Sequence, residues 1–173
     1  MSRDRERRQE QMLNLLQERT EPIRGEDLAL KLGVTRQVVV HEIALMRAMS
    51  HPIVATPQGY YLASVSNNAK KSLLSLRHTP EQTSDELYTL IDHGLIVHSV
   101  IVEHPIYGEL TGTLHLRSRH DVQQFLTLVA ESKISLLSEL TQGYHLHSVE
   151  FEHSEDVDRA VNALREKHIE VLP

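Results

Sequence analysis

Gly25-Glu-Asp-Leu28-Ala-Leu30-Lys-Leu32-Gly33-Val34-Thr35-Arg36-Gln37-Val-Val39-Val-His41-Glu-Ile43-Ala-Leu-Met46 reads as two helices joined by a tight turn. The first, over about Gly25 to Leu32, carries Leu28, Leu30 and Leu32 and ends at Gly33, a residue suited to the left-handed conformation that closes a helix. Thr35 can cap a second helix running to about Met49. Helix, three-residue turn, helix is the helix-turn-helix pattern. Val39, Ile43 and Met46 recur at i, i+4 and i+7 and face inward, which leaves the opposite side free for a nucleic-acid groove. On that side Thr35, Arg36 and Gln37 sit at the helix N-terminus, where backbone N–H groups and the helix dipole favour phosphate. Arginine and glutamine are also side chains that read guanine and adenine edges. His41 lies one turn further along. A solvated helix end is the alternative for these residues, and the preceding helix and turn weigh against it.

Working outward, Arg5 to Glu18 is a charged helix with a narrow apolar stripe of Met12, Leu13, Leu15 and Leu16, broken at Thr20-Glu21-Pro22. On the other side, Ile53 to Thr56 and Tyr60 to Leu62 flank Pro57-Gln58-Gly59 and predict a β-hairpin. A hairpin directly after a recognition helix forms the wing of a winged helix. The pattern over residues 8–62, with Leu28-x-x-x-Leu32-Gly-Val-Thr-Arg-Gln and Gly59-Tyr60-Tyr61-Leu62, resembles the small winged domain of the biotin repressor and of many bacterial regulators. We assign residues 1–63 to this domain and 64–173 to a second one.

Charge is distributed to match. Residues 1–60 hold 9 Lys+Arg against 8 Asp+Glu, and the remainder holds 9 against 16, so a DNA contact belongs on the N-terminal part. No apolar run is long enough to cross a bilayer, and Met1-Ser2-Arg3-Asp4-Arg5-Glu6 lacks the apolar core of a signal peptide, so the expected location is the cytoplasm. With no cysteine, a metal would have to be held by His, Asp or Glu.

The second domain opens with Ser64 to Lys71, polar and aperiodic, read as a linker leading into a short helix. Thr79-Pro80-Glu81-Gln82 is a capping box that starts a helix running from Pro80 to about His93, with Leu87, Leu90 and Ile91 buried. Strands are expected at Leu95 to Val102 and Leu110 to Leu116, a helix over Ser118 to Glu131, a third strand holding His145 and His147, a helix over Ser154 to Lys167, and a final strand at Ile169 to Leu172. Helices around an antiparallel sheet give an α+β domain.

Alternate residues of a strand share a face, so Gly143-Tyr-His145-Leu-His147-Ser-Val149 puts two imidazoles side by side, half of a metal site. On a half-exposed strand such a pair taken alone is usually just a solvated face. His78 with Glu86 is the best candidate for the remaining ligands, because a residue just outside a helix cap can turn back over the first turns.

The ordered motifs His78-Thr-Pro-Glu-Gln, Glu86-Leu87, His104-Pro-x-Tyr107-Gly108-Glu109-Leu110, Ser118-Arg119-x-Asp121-Val122 and Leu140-Thr-x-Gly143-x-His145-x-His147 resemble the three-histidine domain of the niacin-responsive repressors of NAD metabolism, the NiaR family. The resemblance implies that His78, Glu86, His145 and His147 bind a divalent metal, with zinc, nickel, iron and manganese all open, beside a nicotinic acid pocket. It also implies an HPr-like topology, a homodimer, operator DNA as partner and nicotinic acid as corepressor. His104, Tyr107 and Arg119 fall in the matching motifs as candidates for the effector pocket, with the alternative that His104 only fixes the turn at Pro105. A repressor in which the metal ion itself is the signal is the runner-up. Glu103, Glu109 and Asp121 could serve a metalloenzyme as base, but no HExxH-type signature accompanies them, so the chain is read as no enzyme.

Overall fold

In a computed structural model, described over residues 3–63 and 69–173, the chain divides into two compact units, Met1–Val65 and Ser66–Pro173. The fold is α+β throughout.

The first unit contains α1 (Arg3–Gln17), α2 (Gly25–Leu32), α3 (Arg36–Ala48) and the hairpin β1 (Ile53–Thr56) and β2 (Gly59–Leu62). Gly33 closes α2 at φ 65, and Thr35 caps α3 by accepting a hydrogen bond from the Val38 N–H, so both signals read from the sequence act as expected. Met12, Leu16, Leu28, Val39, Ile43 and Met46 form one core, and Ile23, before α2, makes a single antiparallel bridge to Tyr60 of the wing. Of the α2 leucines only Leu28 is fully buried, and Leu30 points into solvent.

α3 also buries a carboxylate. Glu42 shares its inward face and accepts hydrogen bonds from Arg8 Nη2 and Gln9 Nε2 on α1, both at 2.7 Å, with Arg5 at 3.8 Å. Burial, the largest single influence on its acidity, works to raise its pKa, but the Arg8 and Gln9 hydrogen bonds and the Arg8 and Arg5 charges outweigh it and hold the group below the ordinary carboxylate range.

The second unit has β3 (Lys70–Arg77), a 3-10 turn (Pro80–Gln82), α4 (Thr83–Asp92), β4 (Ile96–His104), β5 (Gly108–Leu116), α5 (Arg119–Ser132), a 3-10 segment (Leu137–Thr141), β6 (Tyr144–Phe151), α6 (Ser154–Glu166) and β7 (Glu170–Val171). One antiparallel sheet runs in the order β5-β4-β6-β3-β7. Leu74, Leu76, Val97, Leu114, Leu116 and Val149 on one sheet face pack against Leu87 and Leu90 of α4, Val122 of α5, and Ala160 and Leu164 of α6.

Two expectations are corrected. No short helix follows the linker: Lys70–Arg77 is a strand near the middle of the sheet, while Ser64 to Asn68 lie outside the described residues. Its inward positions are Leu74 and Leu76, but the adjacent Leu73 is on the other face and no β-branched residue is present, which hides the two-residue period. The helix expected from Pro80 begins instead with a 3-10 turn. There the Gln82 N–H bonds to the Thr79 carbonyl at 3.0 Å, and the Gln82 side chain reaches back to the Thr79 N–H at 3.1 Å.

Candidate functional site

His145 and His147 stand on the inward face of β6, because residues two apart repeat that face and Val149 continues it into the core. Both rings are buried, which removes the solvated-face alternative. β3 pairs antiparallel with β6, Leu76 opposite His145 and Leu74 opposite His147, so the residue after Arg77 arrives beside the same rings. That residue is His78. Gly143 permits the approach: at φ 89, a Cβ there would lie 2.2 Å from the His78 carbonyl oxygen. α4 contributes Glu86 from its first turn, 1% exposed and directed at the strand.

The four side chains meet. Glu86 Oε2 lies 2.7 Å from His78 Nε2, and Glu86 Oε1 lies 3.0 Å from His145 Nε2 and 2.9 Å from His147 Nε2. On the other side of each ring, Nδ1 faces a backbone carbonyl: Thr79 at 2.7 Å for His78, Gly143 at 2.9 Å for His145 and Ser99 at 2.9 Å for His147. A carbonyl can only accept, so each Nδ1 carries the proton and each neutral ring turns an Nε2 lone pair towards the carboxylate. Lone pair against carboxylate oxygen at these distances is repulsive unless a positive charge lies between. Three added protons would surround one buried carboxylate with three imidazolium charges, a net +2, whereas a divalent cation with three neutral rings and Glu86 leaves +1. The ring-to-carbonyl bonds are the outer contacts that orient histidines around metals, and the donor set suits zinc, nickel, iron or manganese. His78, Glu86 and His145 offer ligand atoms within 4.8 Å of one another, so this buried cluster could hold a metal.

Acidities follow the same geometry. For His78 and His147 burial is the largest influence and lowers the pKa, but hydrogen bonding to and the charge of Glu86 outweigh it, and both are raised above 6.5. Burial would raise Glu86, yet in metal-free protein the charge of a protonated His147 and hydrogen bonds donated by whichever rings are protonated at Nε2 hold it well below 4.5. A raised histidine contributes stability that is complete below its unfolded pKa and is lost as pH rises through the folded one; the depressed Glu86 contributes stability that is lost only as pH falls through its folded value. A metal needs the deprotonated rings, so it replaces the contribution that metal-free protein loses on the alkaline side. The gap in unfolding temperature between zinc-loaded and metal-free protein is therefore expected to widen from about pH 6 to about pH 8. A constant gap in calorimetry would mean that protons and metal do not compete for these rings.

The cluster opens onto a cavity of about 30 Å³ walled by Leu87, Val100, Leu114, Phe125, Leu136 and Leu137, with Thr83 and Ser138 as its other polar lining. A larger groove of about 510 Å³ is also lined by His78, but neither Glu86, His145 nor His147 lines it, so the cluster does not open there. None of His104, Tyr107 and Arg119 lines the small cavity. His104 Nδ1 accepts from the Ile106 and Tyr107 N–H groups and its ring stacks on Tyr107 at the exposed tip of the β4–β5 hairpin, so it fixes the turn. Arg119 is exposed, paired with Asp92 and lying over the Tyr88 ring. Thr83, which does line the cavity, gives no sequence signal beyond being a threonine three residues before Glu86. In the first unit Thr35, Arg36, Gln37 and His41 are all exposed along α3, with Arg36 Nε 2.8 Å from Glu26 in an exposed ion pair.

Among the described residues no helix is long and apolar enough to cross a membrane. Residues 8–61 match a helix-turn-helix (HTH) domain family and residues 71–172 match the 3H domain family. The chain is 37% identical over 165 residues to Transcription repressor NadR of Bacillus subtilis, covering 94% of this chain and 92% of that protein. It is 36% identical over 163 residues to Probable transcription repressor NiaR of Thermotoga maritima, covering 94% and 93%. These relatives are transcription repressors, not enzymes. With a helix-turn-helix domain, a 3H domain and near full-length identity to both, the chain belongs to the NadR/NiaR family of transcription repressors.

Proposed function

We propose that this repressor acts in the cytoplasm as a homodimer on operators of NAD biosynthesis or niacin uptake genes, with nicotinic acid as corepressor beside a divalent metal held by His78, Glu86, His145 and His147. The observation carrying this reading is the convergence of three Nε2 lone pairs on one buried carboxylate at 2.7 to 3.0 Å. When bound, the metal supplies a positive centre with open coordination positions for a small anionic ligand. An effector that binds only the DNA-competent arrangement raises that arrangement's population, which is sufficient for corepression. Two half-sites read by a dimer supply affinity that one recognition helix lacks, so monomers in light scattering at operator-binding concentrations would count against the dimer.

Operator shift assays test the reading: affinity is expected to rise with nicotinate only when metal is present. The metal-sensing reading predicts the full rise with metal alone. One observation favours that second reading, since a cavity of about 30 Å³ accommodates one or two waters but no pyridine ring unless the Leu136–Leu137 wall moves.

On the DNA side, the Arg36–Glu26 pair is exposed and worth little, so Arg36 can exchange Glu26 for DNA at small cost. Thr35 accepts the Val38 N–H and keeps its own O–H free to donate to a phosphate. Arg36→Ala is expected to weaken operator binding, and Gln37→Ala to relax sequence preference by about 1 to 3 kcal/mol at one base pair. Unchanged binding in both variants would remove α3 from the interface.

A further inference from the structure

Thr83 presents an unusual hydroxyl. Among the described residues its Oγ1 is buried with no hydrogen-bond partner, although the side chain lines the cavity beside Glu86 and the three histidines. Helical threonines ordinarily satisfy themselves by donating to the carbonyl four residues back, and this chain does so elsewhere: Thr89 to Asp85 at 2.6 Å and Thr127 to Gln123 at 2.9 Å. For Thr83 the corresponding acceptor is the Thr79 carbonyl, whose two lone pairs are already taken by His78 Nδ1 at 2.7 Å and the Gln82 N–H at 3.0 Å. The bond that orients His78 as a ligand thus leaves Thr83 with a free donor inside the cavity.

The charge of the centre indicates what that donor meets. Three neutral imidazoles, one carboxylate and a divalent ion sum to +1, and a buried +1 is neutralised by a monoanion. Apart from Ser138 the remaining walls are leucine, valine and phenylalanine, so the body of that anion meets a mostly apolar surface. We propose that Thr83 donates the hydrogen bond that seats the effector's carboxylate beside the metal, and that it selects for small apolar monocarboxylates. This rests on the metal-dependent effector reading above and on the Leu136–Leu137 wall moving aside to admit the body of the effector, since the cavity of about 30 Å³ holds only one or two waters. Thr83 is a positioning residue, not a metal ligand.

The test uses the full-length, metal-loaded protein with nicotinate as probe, read by calorimetric titration together with elemental analysis. Thr83→Val keeps the shape and removes the donor; it is expected to retain stoichiometric metal and to bind nicotinate about ten- to a hundredfold more weakly, as for loss of a hydrogen bond to a charged group. Thr83→Ser restores the donor and is expected to bind like the parent. Parent-like nicotinate binding by Thr83→Val overturns the proposal and leaves the metal-dependent effector reading standing. Loss of metal or of folding in Thr83→Val, with parent-like nicotinate binding in Thr83→Ala, also overturns it by showing a structural role. A parent protein that holds metal but binds no nicotinate overturns the effector reading, and this proposal with it.

Discussion

His147→Ala and Glu86→Gln are each expected to weaken metal binding by more than about a hundredfold, because even changes to the outer partners of metal ligands cost about ten- to a hundredfold. Glu86 touches all three rings, so its loss removes the negative charge that the site is built around and leaves three lone pairs facing an amide. His147 is the more discriminating variant. Its Nε2 shares Glu86 Oε1 with His145, and its Nδ1 is anchored to Ser99 on β4, so it ties a second strand to the centre. Under the function proposed above, nicotinate-dependent operator binding should disappear together with the metal. Weak nonspecific DNA binding should survive, because the first unit has its own apolar core, separate from that around β6 and α4. Elemental analysis of the two purified variants is the measurement. Stoichiometric metal in His147→Ala would reduce the ligand set to His78, Glu86 and His145.

Glu42→Ala is expected to destabilise the first unit by about 2 to 3 kcal/mol, less than the roughly 3 to 5 of a fully buried broken pair because Arg8 can recover water. The Arg8 side chain is 26% exposed against 2% for Glu42, so only part of its charge is stranded. Glu42→Gln should fall between, since its amide oxygen can still accept from Gln9. Because Glu42 fixes α3 to α1, operator affinity should fall with stability while the preferred sequence stays the same. Denaturant unfolding of the full chain, followed by a signal confined to the first unit, measures the loss. A midpoint equal to the parent's would show that the cluster contributes nothing net.

Helix period, cap and turn chemistry are local, and they were legible in the residues themselves. Val39, Ile43 and Met46 face inward at helical spacing, Gly33 and Thr35 bound the turn, and Pro57 to Gly59 joins the wing. Glu42 was the exception, since a carboxylate on the inward face of α3 is tolerable only if cations on α1 reach it, and no spacing within α3 states that. In the second unit the two-residue period put His145 and His147 on one face, but which face was decided by the sheet. β3, disguised by Leu73-Leu74 and its lysines, pairs with β6 in the register that sets Leu76 against His145, and it delivers His78 to a ring whose Glu86 partner is 59 residues away in sequence. Only that register and the packing of α4 over it bring four side chains to one point and turn every Nδ1 towards a carbonyl. The same packing leaves His104 and Arg119 outside the cavity and Thr83 inside it. The amino-acid order by itself determined which residue types were available and on which element each lies; long-range strand pairing decided which of them meet, because contact between distant residues depends on register, which no local spacing encodes.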